Sequence, residues 1–185
     1  MSNQNNKVCP VAKSGSLDNK LRRWLQNPGI IVRPYLNKGM TVLDVGCGPG
    51  FFTIDMAKCV GKTGTVIAAD LQKGMLEKIK RKINGTEIKD NIILHQCGKQ
   101  SLGIKEPIDF ALAFYMVHET PDVNKFFEEV DSVLKDNGKL LVVEPKFHVS
   151  KNDFKQTISS AIDIGMRVID TPKVFFSRAA LLEKS

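Results

Sequence analysis

The stretch Val42-Leu43-Asp44-Val45-Gly46-Cys47-Gly48-Pro49-Gly50-Phe51-Phe52 decides how this chain folds. An apolar run leads into an acid, three glycines follow at alternate positions, and a helical pattern comes next. Glycine permits a sharp backbone turn and admits a ligand where a Cβ would clash. The unpaired N–H groups at the start of the following helix would face that ligand. The stretch therefore predicts a strand, a turn and a helix that together cradle a nucleotide-like cofactor.

Two kinds of cofactor compete for such a turn. Dinucleotide-binding enzymes carry G-x-G-x-x-G, whereas Gly50 follows Gly48 after a single residue here, which gives G-x-G-x-G. Asp44 would repel a pyrophosphate but attract a cationic ligand. Asp70 ends the next apolar run, where it could bind both hydroxyls of a ribose, but NAD enzymes use an acid in the same way. The glycine spacing and Asp44 therefore favour a cationic cofactor over a dinucleotide.

Four stretches of the chain resemble the motifs of class I S-adenosylmethionine (SAM)-dependent methyltransferases. They are Asp44 to Gly50, Asp70 to Leu76, Ile108 to Glu119 and Leu134 to Pro145, the last being similar to the family's L-x-P-G-G approach to its fifth strand. The likeness is strongest to the small-molecule branch that includes enzymes of ubiquinone and menaquinone biosynthesis. The resemblance covers roughly residues 36 to 183 and implies SAM as cofactor and S-adenosylhomocysteine as product.

The order of strand and helix patterns predicts an α/β fold with a mostly parallel sheet covered on both faces. The resemblance implies a three-layer Rossmann-like sandwich whose seven-stranded, mostly parallel sheet has an antiparallel last strand. We expect residues 1–35 to form an N-terminal segment with a lid helix and residues 36–185 to form the methyltransferase domain. The predicted strands are 41–45, 65–69, 92–96, 108–114 and 139–143, with two short final runs at 166–169 and 174–179. The predicted helices are 18–35, broken near Pro28, 51–60, one ending near Asn84, one capped by Thr120 with Pro121 in its first turn, and 152–164.

The resemblance also implies a cofactor site at the carboxyl ends of the strands. Its residues are Asp44, Gly46, Cys47, Gly48, Gly50, Asp70, Leu71, Gly98 and Phe114. One position departs from the family, which usually has an Asp after the third strand to receive the adenine amino group. Gly98 stands there in this chain, so adenine specificity would rest on backbone groups or on Gln100.

The reaction that the resemblance implies is direct in-line transfer of the sulfonium methyl group to a nucleophile, with most of the rate supplied by positioning. A general base is needed only if the acceptor loses a proton. His118 and Glu119 follow the fourth strand and are the candidate catalytic residues, because imidazole titrates in the range suited to proton abstraction. The alternative is that His118 caps or orients that loop. His148 is a weaker candidate, and we expect His95 to be structural.

The acceptor is predicted to be a small molecule. The residues after the fourth strand lack the Asp- or Asn-Pro-Pro-aromatic motif that grips planar amines, which argues against DNA amino and protein glutamine methylation. Phe114, Tyr115, Met116 and Phe147 instead predict a partly apolar acceptor pocket. Candidates for its roof are Arg22, Arg23, Trp24 and Tyr35. A further alternative is a thiol site for a soft metalloid at Cys9 and Cys97. The opposing interpretation of the cysteines is that Cys47 and Cys59 are small core residues.

Composition limits the other functions. The chain has 185 residues and a net charge of +7, and its densest basic run, Lys78 to Lys82, lies in an amphipathic pattern typical of a solvated helix face. No signal peptide core or membrane-spanning run is apparent, and the cysteines form no C-x-x-C pair, so we expect a reducing, cytoplasmic location. No metal site is predicted and nucleic acid is an unlikely partner. A non-catalytic SAM-binding module and an RNA methyltransferase remain the alternatives.

Overall fold

The computed structural model describes residues 25–185 of the chain. Within them, seven strands form one sheet in the order β3-β2-β1-β4-β5-β7-β6. The first five strands run parallel, and β7 lies antiparallel between β5 and β6. The predicted Rossmann-like α/β fold is thereby confirmed. The strands are β1 (Thr41–Val45), β2 (Thr65–Asp70), β3 (Ile92–Gln96), β4 (Ile108–Phe114), β5 (Leu134–Pro145), β6 (Arg167–Asp170) and β7 (Ser177–Glu183).

Helices cover both faces of this sheet. They are α1 (Pro28–Val32), α2 (Thr53–Val60), α3 (Lys73–Ile83), α4 (Val123–Val133) and α5 (Lys151–Asp163), with short 3-10 turns at Arg33–Tyr35, Lys89–Asn91 and Val117–Glu119. Successive strand residues point to opposite faces, so Val42 joins the core under α2 and α3 while Leu43 joins the core under α4 and α5. The near-continuous apolar strands follow from burial on both faces.

The order of the strands reverses at β1, and this reversal places the functional site. The chain proceeds from β1 outward through β2 to β3, then returns to β4 on the other side of β1. The helices that follow β1 and β4 lie on opposite faces of the sheet, and the loops diverge between them. In open α/β sheets a crevice for ligands forms at the carboxyl ends of the strands at such a point.

Helix α4 begins later than predicted. The expected N-cap at Thr120 is wrong, because the Thr120 hydroxyl donates to the carbonyl of Val117 at 2.7 Å and so closes the preceding 3-10 turn. Asp122 caps the helix instead, its carboxylate accepting a hydrogen bond from the Lys125 N–H at 3.0 Å. Both Thr and Asp are good N-caps, so the local sequence did not distinguish them.

The predicted helix 18–35 is interrupted in its described part, close to the break predicted near Pro28. Helix α1 has only five residues and begins at Pro28, after Asn27, whose side chain accepts from the Ile30 N–H. Proline disfavours the helical conformation in the residue before it, which explains why the helix starts anew at this point. The 3-10 turn at Arg33–Tyr35 follows directly. The portion of the prediction at residues 18–24 lies outside the described residues.

The last strands also differ from their predicted bounds. Strand β5 is longer than the predicted 139–143, because it pairs with β4 on one side and with β7 from Lys139 to Pro145 on the other. Strand β7 begins at Ser177 and not at Val174, since the Ser177 N–H donates to the Val174 carbonyl and closes a turn there. The run 174–179 was therefore placed too early by three residues.

Replacing Asp122 tests the observed start of α4. Asp122→Ala removes the cap and is expected to lower the free energy of unfolding by about 1 kcal/mol, whereas Asp122→Asn keeps an N-cap acceptor and should cost a few tenths. Urea unfolding followed by circular dichroism measures both. Equal losses for the alanine and asparagine variants would contradict the assignment.

Candidate active site

A cavity of about 970 Å³ opens at the carboxyl ends of the parallel strands. This volume is at the upper end of the range for small-molecule sites, so it can hold a cofactor together with a small acceptor. Of the residues that the sequence nominated for cofactor or catalysis, the cavity is lined by Asp44, Gly46, Cys47, Gly48, Asp70, Leu71, Gly98, Phe114, His118 and Glu119.

The glycine turn after β1 uses its three glycines differently. All three have positive φ, 64° at Gly46, 53° at Gly48 and 85° at Gly50. A Cβ at Gly46 would lie 2.9 Å from the Met116 side chain, and a Cβ at Gly50 would lie 2.9 Å from that of Ile79. Close packing therefore requires glycine at both positions. A Cβ at Gly48 would meet nothing within 4 Å, which leaves that backbone open to a ligand. Gly50 itself is not on the cavity wall; it lets α3 approach the turn.

Asp44 is a buried acid at the end of β1. Its carboxylate accepts a hydrogen bond from the Thr53 hydroxyl at 2.6 Å. Burial raises the pKa of Asp44 to about 7, the nearby Asp70 carboxylate adds to the rise, and the Thr53 hydrogen bond opposes it. A positive charge placed beside such a carboxyl group stabilises its ionised form. This is the environment expected next to a cationic ligand.

Asp70 joins the glycine turn to the loop after β2. One carboxylate oxygen accepts from the Gly48 N–H at 2.9 Å and the other from the Gln72 N–H at 2.8 Å. Burial raises its pKa, and these two N–H groups oppose the rise. A carboxylate has about four lone-pair sites, so capacity remains for the hydroxyls of a ribose. With Asp44, these groups fit SAM, which carries both a cationic sulfonium and a ribose diol.

The loop after β3 forms another wall of the cavity. Its Gly98 N–H donates to the Ser101 carbonyl at 2.9 Å, which closes a tight turn. Glu129 of α4 accepts from the Leu102 N–H at 2.5 Å and from the Ser101 hydroxyl at 3.2 Å, and so fixes this loop. Gly98 and Gln100 both line the cavity. Adenine recognition by backbone groups or by Gln100 stays a prediction.

The thiols of the site are held in their neutral form. Burial raises the pKa of Cys47 well above its usual range and that of Cys97 to about 11, and nearby carboxylates add to both shifts. Since the thiolate is the nucleophile and the metal ligand, this environment disfavours the thiol-based alternative. Cys9 lies outside the described residues.

His118 pairs with Glu144, an acid that the sequence places at the same crevice but does not assign as the partner of His118. Its Nδ1 lies 2.5 Å from one oxygen of Glu144, and its backbone N–H donates to the other oxygen at 3.1 Å. Glu144 is the penultimate residue of β5 and is 1% exposed. Glu119, the predicted companion, also lines the cavity, but the partner of Nδ1 is Glu144. The clue available in the sequence was that adjacent parallel strands, here β4 and β5, end at the same edge.

The remaining histidines have distinct positions. The His148 ring stacks on that of His118, with centroids 6.0 Å apart and planes at 17°. His95 in β3 makes a 2.7 Å hydrogen bond between its Nε2 and the Leu102 carbonyl, so it supports the loop that Glu129 also holds. This placement agrees with the structural role expected for His95.

Aromatic and apolar side chains form the wall next to His118. Tyr115 has a φ of 61°, and its ring packs 4.3 Å from Phe114 and 6.4 Å from Phe147 between centroids. Its hydroxyl lies 2.6 Å from the Ser177 hydroxyl and accepts from the Gln26 side-chain amide at 2.5 Å. All four residues predicted for the apolar pocket, Phe114, Tyr115, Met116 and Phe147, line the cavity.

The predicted roof is not formed by Tyr35. Its ring stacks on Phe110 with centroids 5.7 Å apart, away from the cavity lining. The reason is that the 3-10 turn at Arg33–Tyr35 packs against the sheet. Arg22, Arg23 and Trp24 lie outside the described residues.

Neither a cluster of metal ligands nor a membrane-spanning helix is found among residues 25–185. No group of three or more His, Cys, Asp or Glu side chains is arranged to hold a metal ion in this part of the chain. None of its helices has the length and apolar character required to span a bilayer.

The fold and the site define a class of protein before any comparison. A glycine turn, two acids at neighbouring strand ends and a large cavity at the strand reversal are typical of Rossmann-like enzymes that use a nucleotide-derived cofactor. Residues 36–173 match the methyltransferase domain family. The chain belongs to this family of class I SAM-dependent methyltransferases, so SAM is its cofactor.

A solved structure and two relatives are similar to the chain. A SAM-dependent methyltransferase from Aquifex aeolicus superposes with a TM-score of 0.85 at 27% identity, over 96% of this chain and 100% of that one. A demethylmenaquinone methyltransferase of Lactococcus lactis is 33% identical over 121 residues, 63% of this chain and 48% of that protein. A ubiquinone/menaquinone biosynthesis C-methyltransferase of Haemophilus ducreyi is 31% identical over 110 residues, 59% of this chain and 42% of that protein. The chain spans about half the length of these relatives.

The glycine turn predicts different effects for two alanine substitutions. Gly48→Ala places a methyl group in open cavity space, so we expect SAM affinity to fall about tenfold or more, with a stability loss of only about 1–2 kcal/mol from the positive φ. Gly50→Ala collides with Ile79 in α3 and should destabilise the fold more strongly. Calorimetric titration with SAM and thermal unfolding separate the two effects. Unchanged SAM affinity in Gly48→Ala would contradict the placement of the cofactor.

The raised pKa of Asp44 predicts a specific dependence on pH. Its folded pKa of about 7 exceeds the ordinary value of roughly 3.9, so the folded chain binds more protons than the unfolded chain between these pH values. The contribution of Asp44 to the free energy of unfolding is therefore full at low pH and declines as pH rises toward 7, by up to about 1.4 kcal/mol per unit. Cationic SAM favours ionised Asp44, so its affinity should rise over the same window, by up to about tenfold per unit.

Asp44→Asn is the matched variant for this dependence. Wild type and variant are titrated with SAM between pH ~5.5 and ~7.5. Comparing their affinities removes the effect of the ligand's own ionisation, because that effect is the same for both proteins. The difference in affinity between the two proteins should widen as pH rises. A constant difference across the window would show that Asp44 does not titrate in response to the cofactor.

Proposed function

We propose that this chain transfers the methyl group of SAM to a small aromatic or enolic acceptor that carries a hydroxyl group. The observation that carries the proposal is the contact between His118 Nδ1 and Glu144 at 2.5 Å on the cavity wall. Removing the hydroxyl proton from such an acceptor makes its oxygen, or the ring carbon beside it, a stronger nucleophile. The similar proteins from Lactococcus and Haemophilus, named as quinone-biosynthesis methyltransferases, support an acceptor of this kind.

His118 serves as the general base in this proposal. The neutral imidazole donates its Nδ1–H to Glu144, so proton uptake from the acceptor would occur at Nε2. The buried Glu144 carboxylate fixes this tautomer and stabilises the imidazolium that forms, as a carboxylate does for the histidine of hydrolase triads. A positioned general base contributes about 10²–10⁴ to the rate. The backbone bond from His118 N–H to Glu144 holds the same carboxylate from a second direction.

The two sides of the cavity have different roles, one binding the cofactor and the other the acceptor. Asp44, Asp70 and the turn at Gly48 bind the cofactor, which supplies the electrophilic methyl group. Phe114 and Tyr115 with Met116 form a flat apolar wall that favours a ring and limits water. Transfer is then a direct in-line displacement whose rate depends chiefly on holding the two reactants at contact distance. Glu119, which lies on the same wall, stays a second candidate for the base that takes the proton of the acceptor's hydroxyl.

An RNA acceptor has less support. The basic run Lys78 to Lys82 lies on α3, where cations in the last turn suit the helix dipole, and Lys82 Nζ donates to the Pro49 carbonyl at 2.7 Å. These roles account for the run without a phosphate partner. Binding to RNA that weakens steeply with salt would revive this alternative. The domain division at residue 36 and the cytoplasmic location stay predictions.

Substitutions at the histidine pair test the proposed chemistry. With demethylmenaquinol and methyl-labelled SAM, His118→Ala should lower kcat about 100-fold or more, and Glu144→Gln at least about tenfold, because base strength and orientation are lost. His148→Ala is the matched control and should stay within a few-fold. SAM affinity should be unchanged in all three.

The same assay separates the competing functions. Full turnover in His118→Ala would remove the general-base role while leaving the methyltransferase assignment intact. SAM binding without methyl transfer to any hydroxylated ring in an acceptor panel would favour the non-catalytic SAM-binding module. A pH–rate profile that loses its ascending limb in His118→Ala would support proton transfer over a purely structural role.

A further inference from the structure

Three phenylalanines are exposed on two neighbouring loops, one of which borders the cavity. Phe147, in the loop after β5, is 71% exposed, and Phe175 and Phe176, in the loop before β7, are 47% and 63% exposed. The two loops touch, because the Lys146 N–H donates to the Phe176 carbonyl at 3.1 Å. We call loops 146–150 and 171–176, with these three side chains, the phenylalanine rim.

The charge of the rim has one sign. Its two loops contain Lys146 and Lys173 but no Asp or Glu. The nearest acid before the second loop is Asp170, at the end of β6, and Lys151 follows the first loop at the start of α5. The whole chain carries +7. Large apolar side chains exposed on adjoining loops are candidates for an interaction site, and these loops add positive charge.

The shape of the rim favours a lipid surface as its partner. Aromatic side chains at loop tips, flanked by lysines, are the combination that binds the interface of an anionic bilayer. The rim is also continuous with the cavity wall, since Phe147 lines the cavity and its ring lies 6.4 Å from that of Tyr115. We propose that the phenylalanine rim docks reversibly on an anionic lipid surface, with the cavity mouth facing that surface. This docking does not depend on the proton transfer proposed for His118.

Residues 1–24 are a competing occupant of the rim. The described chain begins beside it, because the Gln26 side-chain amide donates to the Phe175 carbonyl at 3.0 Å. A second copy of the chain could also cover the three phenylalanines. Either occupant would compete with lipid, so both predict weak or absent vesicle binding by the full chain.

Sedimentation of the full chain with vesicles tests the proposal. The probes are vesicles of phosphatidylcholine alone and of phosphatidylcholine with about one quarter phosphatidylglycerol. We expect at least tenfold stronger partitioning to the anionic vesicles. Phe175→Ser with Phe176→Asn should lower it about tenfold or more, asparagine being chosen because position 176 has a positive φ of 51°. Ile93→Ser with Ile162→Ser, which removes two exposed apolar side chains elsewhere, should not.

A charge-matched pair of variants controls for the net charge. Lys146→Gln with Lys173→Gln should weaken binding about 25-fold, since each lysine near the surface is worth about fivefold. Lys80→Gln with Arg81→Gln on α3 removes the same charge and should have little effect. Unfolding midpoints establish that each variant is folded.

Three results would overturn the docking proposal. They are no binding of the wild type to anionic vesicles, equal losses in the rim and control pairs, and a rim variant that changes the oligomeric state in solution. The last would assign the rim to a second copy. Methyl transfer to a water-soluble hydroxylated acceptor is measured without vesicles, so its failure and the failure of docking are distinguishable.

Discussion

The carboxylate of Asp70 is the contact on which the site is built. It accepts one hydrogen bond from Gly48 in the turn after β1 and one from Gln72 in the loop after β2, so a single buried side chain locks two strand ends together. Because β1 and β2 are neighbours in register up to Val45 and Ala69, these ends are already adjacent. The bonds offset part of the cost of burying the acid. Together with the hydrogen bond from the Cys47 N–H to the Ala69 carbonyl at 3.0 Å, these bonds fix the glycine turn relative to Asp70, the acid that we propose binds the ribose.

The strand reversal then divides the cavity into two chemical halves. The ends of β1, β2 and β3 carry the acids and turns that suit a cofactor, while the ends of β4 and β5 carry the aromatic wall and the His118–Glu144 pair. Each half comes from the ends of neighbouring parallel strands and from the segments that follow them, among them the 3-10 turn Val117–Glu119 that carries His118. The two halves meet at Gly46, where the absence of a Cβ lets Met116 pack against the turn. A donor and an acceptor can therefore be held at contact distance by rigid elements.

Much of this architecture was predictable because its information is local in the sequence. Short segments of sequence encode the glycine turn, the acids near the ends of β1 and β2, and the alternation of strands and helices. The fold follows from these segments. Thr120 does not cap α4, because its hydroxyl donates to a carbonyl of the preceding turn. Thr120 and Asp122 are both adequate N-caps, so the local sequence does not decide between them. Glu144 was missed as the partner of His118 because 26 residues separate the two. Tyr35 was misplaced for a similar reason, since its contact with Phe110 is made across the fold. Pairings of this kind depend on sheet topology, which periodicity alone does not supply.

In the proposed mode of binding, the acids of β1 and β2 hold SAM so that its methyl group faces the wall that carries His118. A crystal structure of the chain with S-adenosylhomocysteine tests this most directly. We expect the ribose hydroxyls to lie about 3 Å from Asp70, with the cofactor backbone over Gly48 and the sulfur directed toward Phe114 and His118. A ribose bound away from Asp70, or a sulfur directed away from His118, would contradict it.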